Sequence, residues 1–227
     1  MKQYKKEIDD FSNILSKISG WKKSAKPFGH VVGARKDYVY EFWCCVKILQ
    51  AIHACPNQNV DIRFGRKKFP RATAPKDGGW SYFEIKDDKG NVIHQVCTGT
   101  GISRSDAPRS VYHPDISIQS ALSSLSPTEK DVEVIMDAKF QSSFDKSDEP
   151  GCIPLHEINS FSHLVNVLKT TAADKSKLNF GKLKKLKGNC LLSNANTNGR
   201  HAKACEQDSV KQVGNFDRAM NYTVIGK

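Results

Sequence analysis

Apolar and polar residues alternate along Val132–Phe140, VEVIMDAKF. Val132, Val134, Met136, Ala138 and Phe140 fall on one side, and Glu133, Ile135, Asp137 and Lys139 on the other. A period of two predicts a β-strand with one apolar face. The same period runs through Val111–Ile118, VYHPDISI, where Ile116 and Ile118 oppose Asp115 and Ser117. Pro114 suits the first residues of such a strand, because it cannot donate to a ladder further in. Trp80–Lys86 and Val92–Thr98 are two β-type runs joined by Asp87-Asp88-Lys89-Gly90-Asn91, a hairpin signal. Asn189–Ser193 reads as a short buried strand, and Val210–Val213 and Tyr222–Ile225 as further short strands.

Between these runs the period changes to three and four. Tyr4, Ile8, Phe11, Leu15 and Ile18 form one stripe, predicting an amphipathic helix over residues 3–18 ended by Gly20. Lys36–His53, KDYVYEFWCCVKILQAIH, is apolar almost all round and predicts a deeply buried helix. Glu41 lies within it, on a face shared with Tyr38, Cys45 and Ile48. A buried carboxylate without a partner is costly. Glu41 therefore reaches solvent, pairs with a core lysine, or serves a site. Leu155–Leu168 carries a third stripe, and Gly199–Gln207 predicts a short helix. Gln119–Lys130, Gln141–Gly151 and Asn194–Asn198 read as connectors and a turn. No repeat or interdomain linker is visible. The reading is an α/β chain: a helical extension over 1–35, then one domain over 36–227.

Charge adds a partner class. Among 227 residues, 35 Lys and Arg face 24 Asp and Glu, a formal net charge of +11. That excess points to a polyanion, nucleic acid first and an anionic membrane surface second. It is concentrated in DIRFGRKKFPRATAPK, with Arg63, Arg66, Lys67, Lys68 and Arg71 interleaved with Phe64 and Phe69, and in KSKLNFGKLKKLK, with Lys182, Lys184 and Lys185. Basic loops with aromatics can grip phosphates and stack on bases; the bland alternative is a solvated charge run. Gly99-Thr100-Gly101 lacks the third glycine of a dinucleotide fingerprint and reads as a loop, with Arg104 and Arg109 just beyond it placed to touch phosphate. Seven cysteines without a CxxC pair suggest a reduced compartment, with neither a disulfide framework nor a zinc site. No apolar run approaches membrane-spanning length and the start, MKQYKKEIDD, lacks a signal core, so a cytoplasmic protein without membrane association is expected.

The candidate chemistry joins these threads. Asp115 and Asp137 are 22 residues apart, enough for one strand to end, turn and return beside the first. Two aspartates aimed from neighbouring strands would converge, and carboxylate oxygens plus waters suit Mg²⁺ or Mn²⁺. Lys139, beside them, can position an attacking water and offset charge on phosphorus. Glu41 can reach the same cluster through water or a second metal. Pro114-Asp115 followed by Asp137-Ala138-Lys139 resembles the PD-(D/E)XK pattern of the restriction-endonuclease-like nucleases, with the Glu41 helix ahead of a hairpin as in their α-β-β-β core. The segments after the motif are similar to the Mrr-type branch, and the likeness covers roughly residues 36–214. The resemblance implies a three-layer α/β sandwich around a mixed central sheet. It implies Asp115, Asp137 and the Ala138 carbonyl as metal ligands, Lys139 as catalytic lysine and Glu41 as the helix-borne acid. The implied activity is Mg²⁺- or Mn²⁺-dependent endonucleolytic hydrolysis of DNA, with restriction or anti-phage defence as the family-level role. DNA is the expected partner, with a homodimer and a separate partner protein allowed. His113 and Gln141 neighbour the motif without a role. Three other readings stand beside this one: a non-catalytic nucleic-acid-binding subunit, an RNA-directed nuclease, and an ordinary surface ion pair between Asp137 and Lys139.

Overall fold

The computed structural model describes residues 1–18, 28, 31, 33–63, 65, 69, 79–141, 149–168, 178–217 and 222–226. Helix α1 spans Lys2–Ile18 and α2 spans Lys36–His53. The strands that follow are β1 (Asn59–Arg63), β2 (Tyr82–Lys86), β3 (Val92–Thr98), β4 (Ile102–Arg104), β5 (Ala107–Tyr112), β6 (Ile116–Ser120) and β7 (Val132–Lys139). Helix α3 (Leu155–Leu168), β8 (Asn189–Ser193), helix α4 (Ala202–Gln207), β9 (Val210–Gly214) and β10 (Thr223–Gly226) complete the order. Eight strands form one mixed sheet in the order β1-β2-β3-β6-β7-β8-β9-β10, and β4 and β5 form a separate two-stranded sheet. The chain is thus α/β with a large mixed central sheet. No helix among the described residues is long and apolar enough to cross a membrane.

β3, β6 and β7 are antiparallel neighbours, whereas β7, β8 and β9 are parallel. Parallel strands need a crossover. α3 lies in the first crossover and α4 in the second. All five residues of β8 are buried, which explains its unbroken apolar run: a central parallel strand is covered on both faces. Cys190 and Leu192 enter one core cluster while Leu191 enters another, so the two clusters lie on opposite faces of the sheet. The first cluster contains Ile8, Phe11 and Leu15 of α1 and the buried side of α2. The second contains Ile158, Phe161, Val165 and Leu168 of α3 and Cys205 of α4. Each large apolar side chain so buried contributes about 1.5–3 kcal/mol. Polar contacts reinforce the α1–α2 seam, where Trp43 Nε1 donates to Glu7 Oε2 at 2.9 Å and Lys47 Nζ sits 3.2 Å from the same oxygen.

Three local expectations are corrected. Val111–Ile118 is not one strand: Val111 and Tyr112 end β5, residues 113–115 are irregular, and β6 starts at Ile116. Alternation alone cannot see where a strand changes partner. Val132 does not share a face with Val134. Gln119 pairs with Val132 while Ile118 pairs with Val134, so Glu133 is an extra residue. Such a bulge reverses the facing of everything beyond it, and Val132 joins the second core. Phe69, expected as a stacking aromatic, is 1% exposed and stacks on Phe83 at 4.7 Å, so it is a core side chain. Phe64, Arg66, Lys67, Lys68 and Arg71 lie outside the described residues, as do Gly20 and residues 175–177.

Candidate active site

The β6–β7 register is the starting point. Ile116 pairs with Met136, so the next step of the antiparallel ladder sets Asp115 opposite Asp137. Each carboxylate then accepts a backbone N–H from across the pair. Asp115 N–H donates to Asp137 Oδ1 at 3.1 Å, and Ala138 N–H donates to Asp115 Oδ2 at 2.8 Å. Gly99 N–H donates to the Asp115 carbonyl at 2.9 Å, tying the same point to the end of β3. The carboxylates are thereby fixed where the ladder ends, and they are 18% and 14% exposed.

Lys139 follows Asp137 by two residues and shares its side of β7. Its Nζ lies 3.1 Å from Asp137 Oδ2, 3.9 Å from Asp115 Oδ2 and 4.0 Å from Glu157 Oε2. Backbone beneath it is clamped from β8. Ser193 Oγ donates to the Lys139 carbonyl at 2.9 Å. Asn194 accepts from Gln141 N–H at 2.7 Å and donates to the Gln141 carbonyl at 3.0 Å. Asn194 thus reproduces with its side chain the two bonds that another ladder residue would give, and holds β7 straight past the last paired residue.

Glu41 approaches from α2, in the layer on the other face, and feels the charges of Lys139 and Asp137. It makes no hydrogen bond or ion pair among the described residues. Burial pushes its carboxyl up to about 7; Lys139 eases the shift, while Asp37 and Asp137 add to it. Burial likewise drives the Asp115 carboxyl well above the usual range, with the Asp137 and Glu41 charges adding and Lys139 and the Ala138 N–H opposing. For Lys139 burial works against the ammonium, but Asp137, Asp115 and Glu157 outweigh it and keep the amine protonated. Among the described residues Lys139 is the cation within 4.0 Å of Asp115, Asp137 and Glu157, with Arg35 a weaker influence on Glu41, so these acids share little positive charge.

Structure brings together Asp115, Asp137, Ala138 and Lys139, with Glu41 nearby. It does not bring the described basic residues to them. Arg63 is exposed at the end of β1, the edge strand four places from β7, which is about 19 Å across the sheet. Lys182, Lys184 and Lys185 are exposed on a 3₁₀ segment, Gly181–Leu186. That segment enters β8 at Asn189, whereas Lys139 pairs with Ser193 at the other end of the strand. The crossover must deliver the chain to the start of the parallel strand, so these lysines fall at the end opposite the carboxylates. A cavity of about 540 Å³ lined by Lys47, Ala51, Cys55 and Leu183 also lies at that end of α2 and shares no residue with the cluster.

The sequence reading missed Glu157 and the Ser193–Asn194 clamp. Glu157 had one available signal, an acid in the first turn of the helix that follows the motif. Asn194 had the signal of a turn residue directly after a strand. His113 packs its ring against Gly101, where a Cβ would come within 2.9 Å of His113 Cε1. All seven cysteines are buried free thiols.

A hard divalent cation fits the donor set. Among the described residues no three His, Cys, Asp or Glu side chains form a metal-holding group by themselves. Two carboxylates plus a backbone carbonyl is nevertheless the scale of protein ligation that Mg²⁺ uses, because it keeps several waters, and the local deficit of positive charge favours a cation. The chain matches no family model, no curated protein and no solved structure.

Proposed function

We propose that the chain is a divalent-metal-dependent endonuclease of the PD-(D/E)XK type that hydrolyses DNA phosphodiester bonds. The observation that carries this reading is the pair of backbone bonds that fix the two carboxylates, Asp115 N–H to Asp137 and Ala138 N–H to Asp115, with the Lys139 ammonium 3.1 Å from Asp137. Topology supports it: Asp115 directly precedes β6 and Asp137 lies near the end of its antiparallel neighbour β7, a helix follows, and β8 returns parallel to β7. Helices on both faces of the sheet fit the three-layer sandwich of that superfamily. Restriction or anti-phage defence is the role that the family analogy attaches to such an enzyme.

Asp115 and Asp137, with the Ala138 carbonyl, would hold Mg²⁺ or Mn²⁺. Bound there, the ion would supply Lewis-acid stabilisation of phosphate charge and a more acidic water. Lys139 orients the attacking water by donating to it and offsets charge that grows on the phosphate oxygens. Its paired carboxylates keep it protonated, so it acts as donor and not as base. Glu41 supplies an acceptor on the far side of the cluster, with a proton affinity poised near neutrality.

Cleavage of plasmid and oligonucleotide DNA with Mg²⁺, Mn²⁺ or EDTA tests the reading. Metal-dependent cutting, lost in Asp137→Ala and Lys139→Ala with unchanged circular dichroism, is expected. Cutting that survives both substitutions overturns the assignment. Metal-dependent cutting of RNA alone keeps the chemistry and changes the substrate.

A further inference from the structure

We infer that the β4–β5 hairpin is the arm that lies along the nucleic-acid backbone beside the cut, with Arg109 as its phosphate contact. This rests on the nuclease reading above and adds to it the surface that positions the substrate. β3 and β6 pair directly as far as Thr98 and Ile116. Everything between them loops out and returns at Asp115, where the Gly99 N–H closes the base of the loop. The hairpin therefore springs from the candidate metal ligand itself.

It is also held rigidly. Ile102 is buried in the second core and Tyr112 packs against it, on the same face as α3. Ser103 N–H donates to the Pro127 carbonyl at 3.0 Å. Ser105 donates to Glu129 through its N–H at 2.7 Å and through its hydroxyl. Gly101 lets the returning strand lie close, since a Cβ there would meet Val111 Cγ1 at 2.8 Å.

Two arginines ride on this arm, and they differ. Arg104 is engaged by Asp106, its Nε donating at 2.7 Å. Arg109 is exposed and has no hydrogen bond or ion pair among the described residues. Its exposed neighbours on β5 are Pro108 and Val111, and the strand carries no acid. A guanidinium on a rigid strand without a counter-ion suits a phosphate, which it can grip with two parallel donors. Six residues separate Arg109 from Asp115, at most roughly 20 Å of chain. On a duplex rising 3.4 Å per step this is about six nucleotides or fewer from the cut. Such a contact fixes the register of the strand and carries no base information.

Binding of wild type, Arg109→Ala, Arg109→Lys and Lys89→Ala to a 30-base-pair duplex, measured in EDTA over a salt series, tests this. Lys89, exposed in the β2–β3 turn at the other end of the sheet, controls for the loss of one positive charge. Arg109→Ala should weaken binding about five- to tenfold and lower the salt slope by about 0.9. Arg109→Lys should keep the slope, and Lys89→Ala should match wild type. Arg109→Ala indistinguishable from Lys89→Ala, with wild type binding and cutting, overturns the hairpin assignment and leaves the nuclease reading intact. Wild type that neither binds nor cuts nucleic acid removes both.

Discussion

Two places on the same sheet carry a lysine between carboxylates from adjacent strands. On β2, Glu84-Ile85-Lys86 has the same acid-X-lysine spacing as Asp137-Ala138-Lys139. Asp61 of β1 supplies the neighbouring-strand acid, as Asp115 does for β7. Lys86 Nζ lies 2.7 Å from Asp61 Oδ2 and 3.5 Å from Glu84 Oε2. The hydrogen bond to Asp61 is the main reason its pKa rises. That pair satisfies itself, close to the solvent edge. The β7 cluster differs in three respects. Its acids are bonded to backbone N–H groups of the opposing strand, which fixes them without using Lys139. A further acid arrives from each layer, Glu41 from α2 and Glu157 from α3. Burial then makes the excess negative charge expensive. The spacing of an acid and a lysine is thus shared by an edge ion pair and a candidate catalytic centre. Surroundings decide between them.

That contrast can be broken most sharply by activity. Lys139→Ala should lower metal-dependent cleavage by about 10²–10³-fold, the scale of a lost preorganised donor. Lys86→Ala should leave it within about twofold. Equal losses in the two variants would erase the distinction. A titration of stability comes next. Glu41 holds its proton up to about pH 7 when folded, against an ordinary value of 4.5. Folding therefore takes up a proton between these values. The Glu41 contribution to the stability of the metal-free protein falls as pH rises through that window, by up to about 3 kcal/mol, and is flat above it. Glu41→Gln should lower the slope by the Glu41 share, leaving that of Asp115, whose carboxyl burial also raises, and saturating Mg²⁺ should shrink it; denaturant midpoints from pH 4 to 8 measure both. A slope unchanged in Glu41→Gln would assign the uptake to another group.

Smaller effects sharpen the picture. Asn194→Ala frees the end of β7 while leaving every charged group in place. It should lower kcat about tenfold with KM nearly unchanged, and a rise in KM alone would deny Asn194 a positioning role. Smallest of all, Lys86→Met should cost less than about 1 kcal/mol in urea unfolding, because a half-exposed ion pair at a sheet edge contributes little. A larger loss would mean that the edge cluster is structural in its own right.

Much of the fold could be read along the chain because the signal was local. The bounds of α2 and α3 follow from apolar spacing, and the hairpin of β2 and β3 from its Gly90-Asn91 turn. β8 announced itself as a run of buried residues. What escaped reading depended on partners distant in sequence. The bulge at Glu133 exists only against Gln119, and the β4–β5 hairpin only against residues 127–129. Phe69 looked like an available ring because nothing local shows that Phe28, Phe42 and Phe83 surround it.

The sequence by itself marked out Glu41, Asp115, Asp137 and Lys139 as candidates, their order, and the strand that sets Asp137 and Lys139 on one side. Those are properties of spacing and period. The tertiary structure decided which carboxylates meet, that Glu157 and Asn194 join them, and that the described basic stretches do not. Convergence depends on strand pairing, on bulges and on where a crossover returns the chain, and these are set by contacts between residues far apart in sequence.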